Sequence, residues 1–207
     1  WRWIVPVFLL ITIYRMSDFT MGIMASPLYA DIGYGGDLVG GIQGGPGILA
    51  TIAGGFFGGL IAYRFGVLKA MLVGALITFA TNGAYAWLAA TATEDEAWKL
   101  LIAISGDNIA GGFAGTVFIA YLSSLTDPMN AATQYALLSS AYAFVNKIIA
   151  GFSGVLDDTV GYVNFFLITA SYALPGAALV LVVLVFGTPA AKGTLEHKRP
   201  EEESASP

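Results

Sequence analysis

Long apolar runs separated by short polar punctuation dominate the chain. Hydropathy and helix breakers divide it into six stretches, at about residues 1–25, 38–63, 67–91, 97–125, 131–155 and 161–187. Each meets or exceeds the roughly 20 residues an α-helix needs to cross a hydrocarbon core. The pattern therefore predicts an all-α membrane protein with six transmembrane helices. The linkers are short and carry the charge: Asp31, Arg64, the run Glu94-Asp95-Glu96, Asp127 before Pro128, and Asp157-Asp158 before Gly161. After Thr188-Pro189 the composition turns polar, which predicts a disordered cytoplasmic tail over 188–207. The stretch from Trp1 to Met24 is too long and too polar in its middle for a signal peptide, and a chain that starts at Trp1 reads as a fragment or a processed product.

Composition agrees with lipid as the solvent. The chain is 57% hydrophobic and 11% charged, with a mean hydropathy of +0.73, whereas a soluble domain carries roughly 25% charged residues. Its 26 glycines exceed what soluble helices tolerate but suit membrane helices that pack backbone to backbone. No cysteine is present, so neither a disulfide framework nor a thiolate metal site is available. The lone histidine, His197, falls in the polar tail. No basic stripe points to nucleic acid, and no cofactor or metal is expected. The net charge of −5 averages over segregated groups. One side of the predicted bundle holds Arg2, Arg64, Lys69, Lys192, Lys198 and Arg199; the other holds only Lys99, beside Glu94, Asp95, Glu96, Asp157 and Asp158. Basic loops stay cytoplasmic, so both termini are expected there, as an even number of spans also requires.

Small residues at four-residue spacing mark helix-packing faces: Gly40 with Gly44, Gly54 with Gly58, and Gly111 with Gly115. Such faces serve packing within the chain or docking to another membrane subunit.

Ionisable residues at membrane depth are costly and mark functional paths. Arg15 and Asp18 lie three residues apart in the first span and share a helix face. Asp107 precedes Asn108 in the fourth, and Asn146 precedes Lys147 in the fifth. In the fifth span Thr133, Ser140 and Lys147 form one polar stripe, with Tyr135, Ser139, Tyr142 and Asn146 beside it. Such stripes line a water-filled cavity. Asp107 shares a face with Gly111 and Gly115, which places it on a closely packing side. Two structural alternatives stand beside a transport path: an Arg15–Asp18 salt bridge and an Asp107–Lys147 salt bridge, each fixing helix positions. Because Asp18 has a cation beside it, Asp107 is the better candidate for a proton-sensitive group. Enzyme chemistry finds little support. The glycine-rich run Gly40–Gly47 lacks the Lys-Ser/Thr of a phosphate loop, and no Cys or membrane-embedded His serves a nucleophile or metal.

Several motifs together resemble a known family. Tyr14-Arg15-Met16-Ser17-Asp18, the run Ala50–Gly59, Asp107-Asn108-Ile109-Ala110-Gly111-Gly112, Ala120–Leu125 and Ala132-Thr133-Gln134-Tyr135-Ala136-Leu137-Leu138-Ser139-Ser140 occur in the order and spacing of the second half of AmpG-type muropeptide permeases, with parts shared by acetyl-CoA transporters of eukaryotic organelles. The likeness runs from about Trp1 to Phe186. It implies one six-helix half of a major facilitator fold, which cycles by alternating access around a cavity shared by two halves. It further implies proton-driven import of anhydromuramyl peptides across the bacterial inner membrane for cell-wall recycling. The matching embedded polar positions are Arg15, Asp18, Asp107, Asn108, Gln134 and Lys147. Where family members commonly carry a lysine in the second span, this chain has Gly44. The half would need an N-terminal six-helix partner, another copy, or a different complex. A truncated structural subunit docked in a larger membrane assembly is the alternative function.

Overall fold

The computed structural model describes residues 4–187, and these are wholly helical apart from short turns. The tail from 188 and the flanking cations Arg2, Lys192, Lys198 and Arg199 lie outside the described residues. The first pass, α1 (Ile4–Ile32), runs well past residue 25. Pro27 costs it one backbone hydrogen bond, yet Leu28 and Tyr29 are buried just beyond, and that packing carries the helix on. The second pass is α2 (Gly36–Ile42), a π-helical turn at Gln43–Gly47 that contains Pro46, and α3 (Ile48–Phe65). Proline has no N–H to donate, and a widened turn is a common way for a helix to absorb that loss.

Gly66, with φ of +92°, makes the tight turn into α4 (Val67–Thr91), a conformation side-chain-bearing residues resist. Then follow α5 (Ala97–Ser124) and α6 (Ala131–Ala150). The final pass is α7 (Ser153–Ser171), broken at Gly161 where φ is +76°, and α8 (Ala173–Phe186), with Pro175 in its first turn. The expected fifth span thus stops at Ala150 instead of 155. Asp157 and Asp158 sit in a short helical stretch ahead of the Gly161 break, not in an open loop.

By length and apolarity five passes suit a bilayer: Val5–Ile32, Gly36–Phe65, Val67–Thr91, Ala97–Ser124 and Ser153–Phe186. The other pass, α6, is 20 residues long, enough to span, but polar residues recur along it. α5 packs along α3 and α4, α4 continues onto α7 and α8, and α1 lies against α6, α7 and α8. Two apolar cores form at different depths. One gathers Leu10, Tyr14, Met71, Phe113, Phe118 and Val180; the other gathers Leu28, Tyr29, Tyr85, Leu100, Phe165 and Phe166.

The charge segregation read along the chain reappears in space. Tyr34 donates to the Glu96 carbonyl at 3.0 Å, and Tyr162 donates to Asp31 Oδ2 at 2.6 Å. These bonds gather the α1–α2 turn, the α4–α5 turn and the start of the last pass at one acidic end. Arg64 and Lys69 flank the α3–α4 turn at the other. At the acidic end Lys99 is buried and clamped. Its Nζ donates to the Thr91 carbonyl and to Glu96 Oε2, each at 2.7 Å, and lies 5.7 Å from the ring centres of both Trp87 and Trp98. Lys99 closes the last turn of α4, where a cation also complements the helix dipole.

Glycine ladders at work can now be told from glycines at a surface. A Cβ on Gly54 would strike the Ile109 carbonyl, and one on Gly58 would come within 2.8 Å of the Phe113 carbonyl. The reciprocal contact on α5 is Gly112 against the Thr51 carbonyl. Gly111 and Gly115 do not sit on that packing face, and neither do Gly40 and Gly44: a Cβ at any of the four would meet nothing within 4 Å. The reason is rotational. Successive helix residues are turned by about 100°, so Gly112 points into α3 while Gly111 points away. Two close approaches escape any four-residue pattern. Gly74 leaves room for the Tyr14 hydroxyl, 2.5 Å from where a Cβ would stand, and Gly176 accommodates the α1 backbone at Tyr14.

Candidate functional site

Midway along α1 an i,i+3 spacing brings two opposite charges together. Arg15 Nη1 donates to Asp18 Oδ2 at 2.5 Å, with side chains 20% and 21% exposed. The guanidinium is also held over two rings, 6.0 Å from the centre of Phe19 and 5.9 Å from that of Phe118. Phe118 in turn stacks on Tyr14 at 5.7 Å and meets the edge of Tyr142 at 4.9 Å. Tyr14 is anchored by its own hydrogen bond to the Met71 carbonyl at 3.2 Å. Arg15 is thereby positioned by α1, α5 and α6 together. A charge at membrane centre costs about 2.5–3.5 kcal/mol on insertion scales, and this pairing with partial exposure to an open face offsets that cost.

Asp107 reaches the same region from α5. It lies in electrostatic range of both Arg15 and Asp18, and makes no hydrogen bond or ion pair among the described residues. Its helix face continues through Gly111 and Gly115, so the carboxylate stands on an open side of α5, not the packed side expected from the glycine spacing. One guanidinium therefore faces two carboxylates, and bonds directly to only one.

The other sequence-selected residues separate from this cluster. Lys147 is exposed and forms no salt bridge with Asp107, because α6 brings it out along the same stripe as Thr133 and Ser140. Asn108 points to α3: its Oδ1 accepts from Thr51 Oγ1 at 2.9 Å while its Nδ2 donates to the Ile104 carbonyl at 2.8 Å. Thr51 also donates to the Gly47 carbonyl at 3.0 Å, so Asn108 braces the end of the π-helical turn. Gln134 accepts from the Asp127 backbone N–H at 2.7 Å and orders the α5–α6 turn, away from the charged cluster. Asn146 is fully buried and donates to the Thr12 carbonyl at 3.0 Å, tying α6 to α1.

Asn146, marked by the sequence as part of a polar stripe, joins other polar contacts along α1 whose members Asn82, Ser153 and Thr169 the sequence did not single out. Ser17 donates to the Thr169 carbonyl and accepts from Asn82 Nδ2, both at 2.7 Å, so α1, α4 and α7 meet at one hydroxyl. Ser153 donates to the Thr20 carbonyl at 3.1 Å. Such bonds average about 0.6 kcal/mol in membrane proteins, so they set helix register more than they add stability. Asn82 and Ser153 stand alone in apolar runs with no periodic signal, which is why only the tertiary structure exposes their roles.

Arg15, Asp18 and Asp107 form a charged group at mid-depth of a helical bundle, with no His or Cys nearby among the described residues to support metal or nucleophile chemistry. The sequence model of the Major Facilitator Superfamily matches residues 7–207. The chain belongs to this superfamily. Its members are membrane transporters, and the six-helix bundle is one half of a major facilitator fold. Among its relatives, AmpG 4 of Rickettsia conorii, named as a putative transporter, is 34% identical over 177 residues, covering 86% of this chain and 42% of that protein. The anhydromuropeptide permease of Escherichia coli K12 is 30% identical over 194 residues, covering 93% of this chain and 38% of the permease. The chain spans about two fifths of the length of these relatives.

Proposed function

We propose that this six-helix unit acts as the C-terminal half of a proton-coupled secondary transporter that imports anhydromuramyl peptides, or a similar amphiphilic anion, by alternating access. The observation that carries this reading is the mid-membrane group in which Arg15 faces Asp18 and Asp107 on the open side of the bundle. A substrate carboxylate has an evident docking point there. It competes with Asp18 for a guanidinium already oriented by Phe19 and Phe118. A proton on Asp107 balances the extra negative charge while the substrate is bound, and leaves with it. Binding and protonation are thereby coupled through one cation, which is the requirement of symport.

The reading places the chain in the bacterial inner membrane, with the Arg64 and Lys69 end cytoplasmic and the acidic end outside, as the basic-loop bias dictates. The stripe of Thr133, Ser140 and Lys147 on α6, and the open glycine faces of α2 and α5, then border a cavity completed by an N-terminal six-helix partner. The supporting similarity is to a permease whose name gives anhydromuropeptides as its solute.

The test is uptake of a labelled anhydromuramyl peptide into proteoliposomes holding the complete two-half protein, with an imposed inward proton gradient. Gradient-driven accumulation in the parent and its loss in Asp18→Asn are expected. Accumulation that ignores the gradient, or survives Asp18→Asn, would overturn the reading.

A further inference from the structure

The outer surfaces of α4 and α5 change chemistry as they near the acidic end. Along α4 no charged residue occurs from Ala70 to Ala86, and Leu76 and Phe79 are exposed. About three helical turns beyond Leu76 the same face ends in Trp87, 38% exposed. On α5, Ile102 is exposed, and one turn nearer the acidic end stands Trp98, 53% exposed. The two indoles meet across the helices, with ring centres 5.8 Å apart and planes tilted by 57°. Core packing does not account for them. Tyr85, two residues before Trp87, is buried in the second core, whereas both indoles stay outside it.

The polar groups around the pair are unevenly committed. An indole offers one N–H donor and no acceptor, and neither indole N–H meets an acceptor among the described residues. Lys99 beneath the rings is spent on the Thr91 carbonyl and Glu96. Glu94 and Asp95, in the turn above, are exposed and form no ion pair among the described residues. Depth and direction point to the bilayer. The 18 residues from exposed Lys69 to Trp87 rise about 27 Å, close to the roughly 30 Å of a hydrocarbon core. Trp98 precedes Asp107 by nine residues, a half-turn in rotation at about 100° each, so it stands on the opposite side of α5 from the charged cluster.

We infer that Trp87 and Trp98 together form a docking site for a zwitterionic phospholipid, and that this face of α4 and α5 is turned to lipid. The rings rest at the boundary between acyl chains and headgroups, where an apolar body with a polar tip is at home. Their free N–H groups donate to an ester carbonyl or phosphate oxygen. The ammonium of the same headgroup then lies towards Glu94 and Asp95. An anionic headgroup would meet those carboxylates with no free cation beside it, since Lys99 is already paired. The site needs only a bilayer and does not rest on the transport reading.

The experiment reads the tryptophan fluorescence of the complete two-half protein in vesicles, as the difference between the parent and Trp87→Phe and between the parent and Trp98→Phe. Tyrosine at either position, which keeps a ring with a polar tip, replaces a phenylalanine variant that fails to insert. The vesicles contain phosphatidylcholine brominated either beside the ester groups or near the chain ends. Bromine beside the esters should remove most of each difference signal, whereas chain-end bromine and aqueous iodide should remove little. Three results overturn the site: weak quenching by all three, which means that protein covers the face; iodide as the strongest quencher, which puts the indoles in a water-filled cavity; and chain-end bromine as the strongest, which puts them too deep. In mixed vesicles, brominated phosphatidylethanolamine should reach half-quenching at about two- to fivefold lower mole fraction than brominated phosphatidylglycerol, the worth of one exposed ion pair. Equal quenching, or a preference for phosphatidylglycerol, overturns the zwitterionic assignment.

Discussion

At the residue scale the arrangement turns on how one cation is shared. Arg15 is bonded to Asp18 and held between rings, whereas Asp107 is near enough to feel both charges without touching either. Asp107→Asn is therefore expected to uncouple uptake from pH while leaving the fold intact, since no hydrogen bond is lost; pH-independent uptake with a parental melting temperature is the measurement. Arg15→Ala should do broader damage, because it strands Asp18 at membrane depth. Removing one partner of a buried pair costs about 3–5 kcal/mol, and the figure here is smaller because both side chains are about one-fifth exposed. A lower melting temperature in detergent, partly restored by the double change Arg15→Ala with Asp18→Ala, checks it. A different sensitivity belongs to the acidic end. The Lys99 ammonium, with the Thr93 hydroxyl and N–H, holds the Glu96 carboxyl below its ordinary value. A depressed carboxyl contributes stability above its unfolded value and loses it as pH falls through the folded one. Thermal stability should thus decline on acidification below about pH 4, and Glu96→Gln should flatten that decline.

At the element scale, spacing along one helix reveals faces but not neighbours. The six passes were legible because little besides a bilayer requires apolar runs of that length, and the ends were not, because they depend on packing. α1 continues through Pro27 since Leu28 and Tyr29 have a core to enter, and the second pass absorbs Pro46 in a π-helical turn. The Arg15–Asp18 contact was readable because both ends lie on one helix. An Asp107–Lys147 contact was not decidable, because it depends on how α5 and α6 are turned relative to each other. The same ambiguity separates Gly111 from Gly112, and it can be tested. Gly112→Ala drives a methyl into the Thr51 carbonyl, where overpacking costs about 1–3 kcal/mol. Gly111→Ala meets open space and should change stability by less than about 0.5 kcal/mol. Denaturation of the two variants side by side distinguishes the faces.

At the scale of the whole molecule, charge is sorted between two ends, and the proposed orientation follows from that sorting. Because the chain lacks cysteine, a single introduced thiol reports one location. Tyr63, 92% exposed beside Arg64, and Asp95 in the α4–α5 turn mark opposite ends. A membrane-impermeant maleimide should label Asp95→Cys in intact spheroplasts and Tyr63→Cys only after permeabilisation; the reverse pattern would invert the proposed topology. One consequence of the bundle concerns its making. α6 is the pass whose polarity sets it apart from the five apolar ones, and it is secured to α1 by Asn146 on the Thr12 carbonyl and to the aromatic cluster by Tyr142 on Phe118. Lipid alone is a poor welcome for such a segment, since insertion rewards apolar residues and penalises charged ones. Both of its docking surfaces, however, are synthesised earlier in the chain. The order in which the ribosome delivers the helices is thus itself an assembly plan: α1 and α5 arrive first and prepare a protein lining, and the least lipophilic helix enters the membrane against its own siblings.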